Sequence, residues 1–569
     1  MVTTTTAPAT TTVARTVAPA TATVATTTST ATTSTTSPAA ATTTTGPPAP
    51  ENVTYNTDSV ATYGIGPQPA NWNIHSAAAS GSYVTLEQVL AQVWPSAFYT
   101  GTDGTFSLDT SLLSAVSEVS TNPQTVVYQI NPQAVWSDGT PITYRDFAYN
   151  WQAQSGKAAF SDVGYTPFTP ADEAGYDDIA SVKGSPVHPY TVTVTFSASY
   201  PDWRSLFSYL VPAHIARLVG FDSGFTDPVA DLVSGGPYVV SEMQEGYSLE
   251  IVRNARYWGT PANLASITYY FTTGAAETVD ALAAGELDVA ILEGQPALYQ
   301  QLAAVAGLKI EAVASATFED LDFNEINSPL SSPVLRDALM MAVDRATMAT
   351  NVLGPYGLAA DPVENRALLP GEPGYNDDGA SYDLPAPAAA LELLEANGYT
   401  LAGNELSSPG GGPVRLSLAV SADDPVAQQL GALVVSNCAA IGIGVSLTPN
   451  GPGGAPPRGW QMAIELRQVP PALSEIAPRY ATGGADNADG YSSAAMGSLL
   501  ARAPTLPAAQ LPALYGLVDK QAWQDFVDLP LVWGPMIVAL KPGLLNVLPV
   551  GAYPGNIAWD EEDWGFALP

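Results

Sequence analysis

An α/β fold is predicted by three features of the sequence. Short segments alternate apolar and polar side chains as half-buried strands do, and longer segments begin and end on helix-capping residues. From Gly236 onward the two kinds of segment follow one another in turn, a pattern that gives lobes with a sheet flanked by helices. At 569 residues the chain exceeds the size at which one core keeps growing, so two or three lobes are expected.

Residues 1–50 are nearly all Thr, Ala, Pro, Ser and Val, with Arg15 the sole charge before Glu51, and they follow neither the helix nor the strand period. A disordered tether is expected there. It lacks a basic start followed by an apolar stretch, so it is not itself a signal peptide; it reads as the tether of a lipoprotein whose signal and lipidated cysteine lie upstream. Residues 60–65 read as a strand, which Gly66-Pro67-Gln68-Pro69 breaks, and a helix follows over roughly 85–94. Residues 125–130 alternate as a strand. Next, Asp138-Gly139 supplies a turn, Pro141 stiffens its exit, and Thr143 is placed to cap a helix beginning near Arg145. In the strand 190–196, Val192, Val194 and Phe196 share one face.

Further along, the helix 275–284 stops at Gly285. Ser332-Pro333 starts a helix running towards Asn351 and meeting Gly354, and Asp424-Pro425 starts another that ends by Gly442, with a strand at 443–447 beyond it. Gly and Pro are dense enough at 409–413 and 450–457 to require loops. No fixed-period repeat is visible.

Composition excludes several functions. The net charge of −35, from 54 acidic against 19 basic residues, repels nucleic acid and anionic headgroups. The single cysteine, Cys438, sits in an apolar helical run and permits neither an intrachain disulfide nor a thiolate cluster; inert packing is expected. No apolar run approaches the roughly 20 residues that span a bilayer. The histidines His75, His188 and His214 are dispersed, and no zinc, nucleophile-elbow, phosphate-loop or dinucleotide motif is present. Asp486-Asn487-Ala488-Asp489-Gly490 has the look of a calcium loop but lacks the downstream glutamate, and reads as a turn. No enzyme, cofactor or metal is expected.

The segment Val135-Trp136-Ser137-Asp138-Gly139-Thr140-Pro141-Ile142-Thr143-Tyr144-Arg145-Asp146-Phe147 resembles the W-S-D-G-x-P-(I/V/L)-T-x-x-D-F signature of the family 5 extracellular solute-binding proteins, the peptide, nickel and oligosaccharide receptors of ABC importers. Further blocks follow in that family's order: Gly236-Pro237-Tyr238, Arg253-Asn254-Ala255-Arg256-Tyr257-Trp258, Gly285-Glu286-Leu287-Asp288, Phe323-Asn324 with Val334-Leu335-Arg336-Asp337-Ala338-Leu339 and Ala342-Val343-Asp344-Arg345, and Leu393-Leu394-Glu395-Ala396-Asn397-Gly398-Tyr399. The resemblance, in register over roughly 60–540, implies a two-lobed periplasmic-binding-protein type II clamp with an extra small α/β domain. It puts lobe I at 51–90, 197–312 and 536–569, the extra domain at 91–196 and lobe III at 313–535, with the crossings as hinge. It also implies capture of a small solute by a monomer, delivery to an ABC permease, an extracytoplasmic location and membrane attachment only through an upstream lipid anchor.

Peptide-binding members of the family hold the ligand's amino terminus with an aspartate ahead of an Asp-Pro loop in lobe III. The matching stretch here, Glu465-Leu466-Arg467-Gln468-Val469-Pro470-Pro471, has Arg467 in that place, which implies a carboxylate, phosphate or sugar instead. Trp94-Pro95-Ser96-Ala97-Phe98, Pro201-Asp202-Trp203-Arg204, Val211-Pro212-Ala213-His214-Ile215 and Arg467-Gln468 are similar to the LpqW-type actinobacterial lipoproteins, a subgroup associated with phosphatidylinositol mannoside and lipoarabinomannan synthesis; a glycolipid-binding envelope lipoprotein on the same scaffold is the alternative. Candidate cleft residues are Tyr83, Trp136, Trp460, Tyr480 and Tyr491 for stacking or apolar contact and Arg467 for an anion, with plain core burial the competing reading of each aromatic.

Overall fold

The backbone of the central sheet runs through ten strands, in the order Gly444–Pro449, Arg415–Val420, Met462–Gln468, Lys309–Phe323, Asp528–Leu540, Val289–Glu293, Val60–Ile65, Ser266–Phe271, Ser248–Arg253 and Tyr238–Gln244. The computed structural model describes residues 53–101, 105–326, 329–451, 455–470, 472–547 and 561–568; the expected tether at 1–50 lies outside them. All described residues belong to one unit, 44–569. The fold is mixed α/β, as expected.

Two long strands hold the sheet together. Lys309–Phe323 pairs antiparallel with Asp528–Leu540 along almost its whole length, and the register slips between Ala314 and Phe318, opposite Gly534. Ser315 Oγ, which donates to the Gly534 carbonyl at 3.1 Å, lies 2.7 Å from Thr317 Oγ1. On one side of this pair the largest core gathers Tyr63, Tyr238, Ile251, Ile267 and Tyr269; on the other a second core gathers Leu321, Phe323, Leu339, Leu418 and Val434.

A separate four-stranded antiparallel sheet, Leu113–Thr121, Gln124–Ile130, His188–Phe196 and Ile179–Ser185, joins the first core. Val126 opposes Val194 and Tyr128 opposes Val192, all fully buried, so the alternation read from sequence is the buried face of this sheet. The helix Tyr144–Gln154 follows as expected. Thr143 Oγ1 accepts from the Arg145 amide, and Asp146 accepts from the Thr143 amide to close a capping box.

Two other helix ends fall where capping chemistry puts them: Ala275–Ala284 stops on Gly285 at φ 77°, and Asp424 caps Pro425–Ala440, whereas the helix expected over roughly 85–94 spans Tyr83–Leu90, with no side-chain cap from Ser82. The predicted continuous helix after Ser332-Pro333 is corrected to two, Pro333–Ala342 and Arg345–Leu353. Val343 is extended, and Asp344 Oδ1 accepts from the Thr347 amide at 2.9 Å, restarting the helix as a fresh N-cap. Cys438 is fully buried, and burial pushes its thiol up to about 12. Among the described residues no helix is long and apolar enough to cross a membrane.

Candidate binding cleft

Two adjoining cavities, of about 500 and 870 Å³, share Tyr83, Asp172, Ala174, Tyr200, Gln468 and Glu475 and so form one cleft. Its walls come from chain segments far apart in sequence. The first helix, Tyr83–Leu90, and the segments carrying Asp172 and Tyr200 supply one side; the strands Lys309–Phe323 and Met462–Gln468 and the residues from Pro470 to Asp486 supply the other.

The larger cavity is floored by a charge network that sequence reading did not find. Asp320 and Asp322 lie two apart on one strand, so they share a face, and the neighbouring strand begins with Asp528. Arg479 Nη2 bonds all three: Asp528 Oδ2 at 2.8 Å, Asp320 Oδ2 at 3.4 Å, and Asp322 Oδ1. Carboxylates this close have the ligand atoms for a cation, but here a guanidinium bonds to all of them. Arg366 adds bonds to Asp528 and, at 3.1 Å, to Asp519, while Tyr480 donates to Asp528 Oδ2 at 3.0 Å. Burial alone would raise the Asp528 carboxyl; the guanidiniums of Arg366 and Arg479 outweigh it and hold that group well below the usual carboxylate range. Asp320 goes the other way. It is 1% exposed, and burial, Asp528 and Asp322 push its carboxyl well above the ordinary value. Its Oδ1 has no hydrogen-bond partner among the described residues, and the residue lines the cavity.

Arg467, expected to serve an anion, lines the larger cavity as part of an ion-paired cluster. Its Nη2 pairs with Glu465 at 2.6 Å and with Asp322, and its buried Nε has no hydrogen-bond partner among the described residues. The remaining lining is acidic, with Asp172, Asp177, Asp178, Glu475 and Asp486 around the opening. The field in the cleft therefore favours positive ligand groups.

Of the other predicted residues, the structure brings Tyr83, Arg467 and Tyr480 to the larger cavity. Tyr491 stands behind Tyr480, ring centroids 6.3 Å apart, and donates to Asp525 Oδ2 at 2.6 Å. Trp136 and Trp460 line neither cavity. Trp136 is fully buried: its amide and carbonyl close the turn with Thr140 and Gly139, and the adjoining Ser137 amide donates to the Ser234 carbonyl at 2.6 Å. That segment is a clasp between the small sheet's helix and the Gly235-Gly236 turn, so its aromatic is spent on packing. Trp460 precedes the strand Met462–Gln468 at the end away from Arg467, roughly 20 Å along the strand direction at about 3.3 Å per residue. The Asp486–Gly490 segment is a turn, with Asn487 Oδ1 accepting from the Gly490 amide at 2.9 Å.

A cleft walled by distant segments beside a sheet whose two cores share a pair of long strands is the arrangement of a type II periplasmic binding protein. The chain matches the family described as bacterial extracellular solute-binding proteins, family 5 (middle region), over residues 87–479, and it belongs to that family. It is 30% identical over 502 residues to the oligopeptide-binding protein OppA of Mycobacterium tuberculosis, covering 84% of this chain and 80% of that one. Over 331 residues, 56% of this chain and 49% of the relative, it is 30% identical to the probable monoacyl phosphatidylinositol tetramannoside-binding protein LpqW of the same organism. The periplasmic EDTA-binding protein EppA superposes with a TM-score of 0.80 at 26% identity, over 91% of this chain and 98% of that one. Members of the family are solute binders rather than enzymes, and they work outside the cytoplasm.

Proposed function

We propose that the protein is the receptor of an ABC importer for peptide-like solutes with a free amino group, which it holds in the acidic cleft and hands to the permease. The buried, unpartnered Asp320 Oδ1 lining the larger cavity carries this reading. A buried carboxylate asks for an ammonium, and the nearby unpartnered Arg467 Nε asks for an acceptor. An α-amino group with its adjoining carbonyl offers both. The likeness to OppA, named for oligopeptide binding, supports the same class.

Closure is assigned to the crossings near residues 312–313 and 535–536, where the register slip opposite Gly534 supplies a place for two strands to flex. Attachment through a lipid upstream of the tether and action as a monomer complete the proposal. The partial likeness to LpqW favours a second reading, glycolipid binding in envelope synthesis, but an anionic phosphoinositol headgroup would meet the acidic lining unfavourably.

Thermal shift and calorimetry with a tripeptide to pentapeptide mixture, the same mixture acetylated at the amino terminus, and phosphatidylinositol mannosides separate these. Ligand at about 100 times its Kd adds roughly 2.7 kcal/mol to stability. The expected result is stabilisation by free peptides, weakened roughly 100-fold by acetylation, which leaves a buried carboxyl unpaired. Stabilisation by the mannosides alone would replace the importer reading with the envelope one.

A further inference from the structure

The smaller cavity opens from the same cleft, yet its chemistry differs from that around Asp320. Aromatic rings of Phe98, Tyr99, Phe106, Tyr176, Tyr200 and Tyr209 line its 500 Å³, within the range of about 300–1,000 Å³ usual for small-molecule sites. Three carboxylates line it as well, Glu87, Asp172 and Glu475. Glu87, from the helix Tyr83–Leu90, accepts a hydrogen bond from the Tyr209 hydroxyl at 3.0 Å, and no cation pairs with it among the described residues.

The two basic side chains nearby do not fill that role. His75 shares its Nε2 between the carbonyls of Ser208 and Tyr209, each at 3.0 Å, and burial lowers its basicity to about 4, so the ring stays neutral. Arg204 sits over Trp203, with its guanidinium carbon 4.4 Å from the ring centroid. Asp172 and Glu475 add negative charge where this cavity meets the larger one.

Each class of occupant can be judged against this lining. An anion would face Glu87, Asp172 and Glu475 together. A neutral aliphatic chain would fill space but strip water from Glu87 without replacing its charge partner, which is costly unless the carboxyl takes up a proton. A cation gains the carboxylate and the π faces at once, and the latter attract it more strongly where water is excluded.

We propose that the smaller cavity is a specificity pocket for a cationic side chain, lysine or arginine, of a ligand whose amino end sits at Asp320. Burial already pushes the Glu87 carboxyl up to about 7, the condition of a group waiting for a positive partner. The proposal rests on the peptide-like reading above.

Calorimetry on the full chain with tripeptides carrying lysine, norleucine or glutamate at each position in an alanine background tests it. In at least one position lysine is expected to bind 10-fold or more tighter than norleucine, with glutamate weakest. Glu87→Gln keeps an acceptor for Tyr209 and so preserves the packing; it is expected to abolish the lysine preference while leaving norleucine affinity unchanged and Tm at neutral pH no lower than the parent's. Equal affinity for lysine and norleucine at every position, or a preference that survives Glu87→Gln, overturns the pocket while leaving peptide binding intact. If no peptide binds, the importer reading falls, and n-butylammonium against butanol then decides the pocket alone: binding of the amine lost in Glu87→Gln supports it, and no binding overturns it.

Discussion

Arg467 Nη2 lies 2.6 Å from Glu465 Oε2, on the same strand and two residues away, and the same nitrogen reaches across to Asp322. This arginine is thereby a structural tie more than an anion receptor. Arg467→Met is expected to cost about 2–4 kcal/mol, since removing one partner of a partly buried pair strands the other charges. Urea unfolding of the two proteins measures it. A selective loss of phosphate or carboxylate binding with unchanged stability would contradict this assignment.

Asp528 is expected to set the acid limit of the fold. Its carboxyl is held well below the ordinary range in the native state, so the stability it contributes is present above the unfolded value near 4 and disappears as pH falls through the lower native value. Asp528→Asn is expected to cost about 3–5 kcal/mol at neutral pH, because Arg366 and Arg479 lose their shared partner, and to flatten the decline below pH about 4. Unfolding curves between pH 2 and 7 give the comparison.

Glu87 has the opposite sign. Its native carboxyl titrates near 7 and its unfolded one near 4.5, so the folded chain holds the extra proton between those values. Without ligand, this group is expected to lower stability by roughly 1–3 kcal/mol as pH rises from 4.5 to 7, and Glu87→Gln is expected to remove its share of the slope, with Glu319, Asp489, Asp519 and Glu562, also raised by burial, supplying part of what remains. Glu475, also pushed up to about 7 by burial and by Asp172 and Asp202, reinforces the trend and leaves a smaller residual slope in the variant.

Asp320 links protons to ligand. Because its carboxyl is raised in the free protein, pairing with an ammonium requires proton release, so affinity for an amine-bearing peptide is expected to strengthen with rising pH. Calorimetry in buffers of different ionisation enthalpy reads the released proton directly. Asp320→Asn is expected to lose both the proton release and the preference for a free amino terminus.

The clasp around Trp136 is expected to matter for folding and not for affinity. Trp136→Ala empties a fully buried site and is expected to cost about 3–5 kcal/mol. Gly139→Ala forces a side chain to φ 92° and is expected to cost about 1–3 kcal/mol. Folded fractions of both variants should bind solute as the parent does.

Local signals were enough for the fold class and for the ends of several elements. Val60–Ile65 and Ala275–Ala284 have the ends that the sequence predicts, because Gly66 and Gly285 act on their immediate neighbours. The break at Val343-Asp344 was also readable, since an aspartate inside an apolar run can cap a new helix; the surrounding helical period hid it. The cleft was less legible. Tyr83, Arg467 and Tyr480 line it, but Asp320, Asp322, Arg366, Arg479 and Asp528 meet through pairings as much as 162 residues apart in sequence. One local clue existed: Glu319-Asp320-Leu321-Asp322 crowds acids into a strand otherwise written for burial, and buried acids are rarely left without a purpose. Trp136 carries a strong family spelling and lies fully buried in a joint that builds the scaffold, in keeping with the competing reading of core burial.

The pairing of Lys309–Phe323 with Asp528–Leu540 also bears on how the chain is made. Synthesis proceeds from the amino end, and roughly 200 residues separate one strand from the other, so the middle of the sheet stays open until Asp528–Leu540 has emerged. During that interval Lys309–Phe323 and Val289–Glu293 both present unsatisfied edges to any neighbouring chain. A nascent protein stalled before Leu529 would thus be left with its central seam unzipped and prone to sticking to its own copies until Asp528–Leu540 arrives.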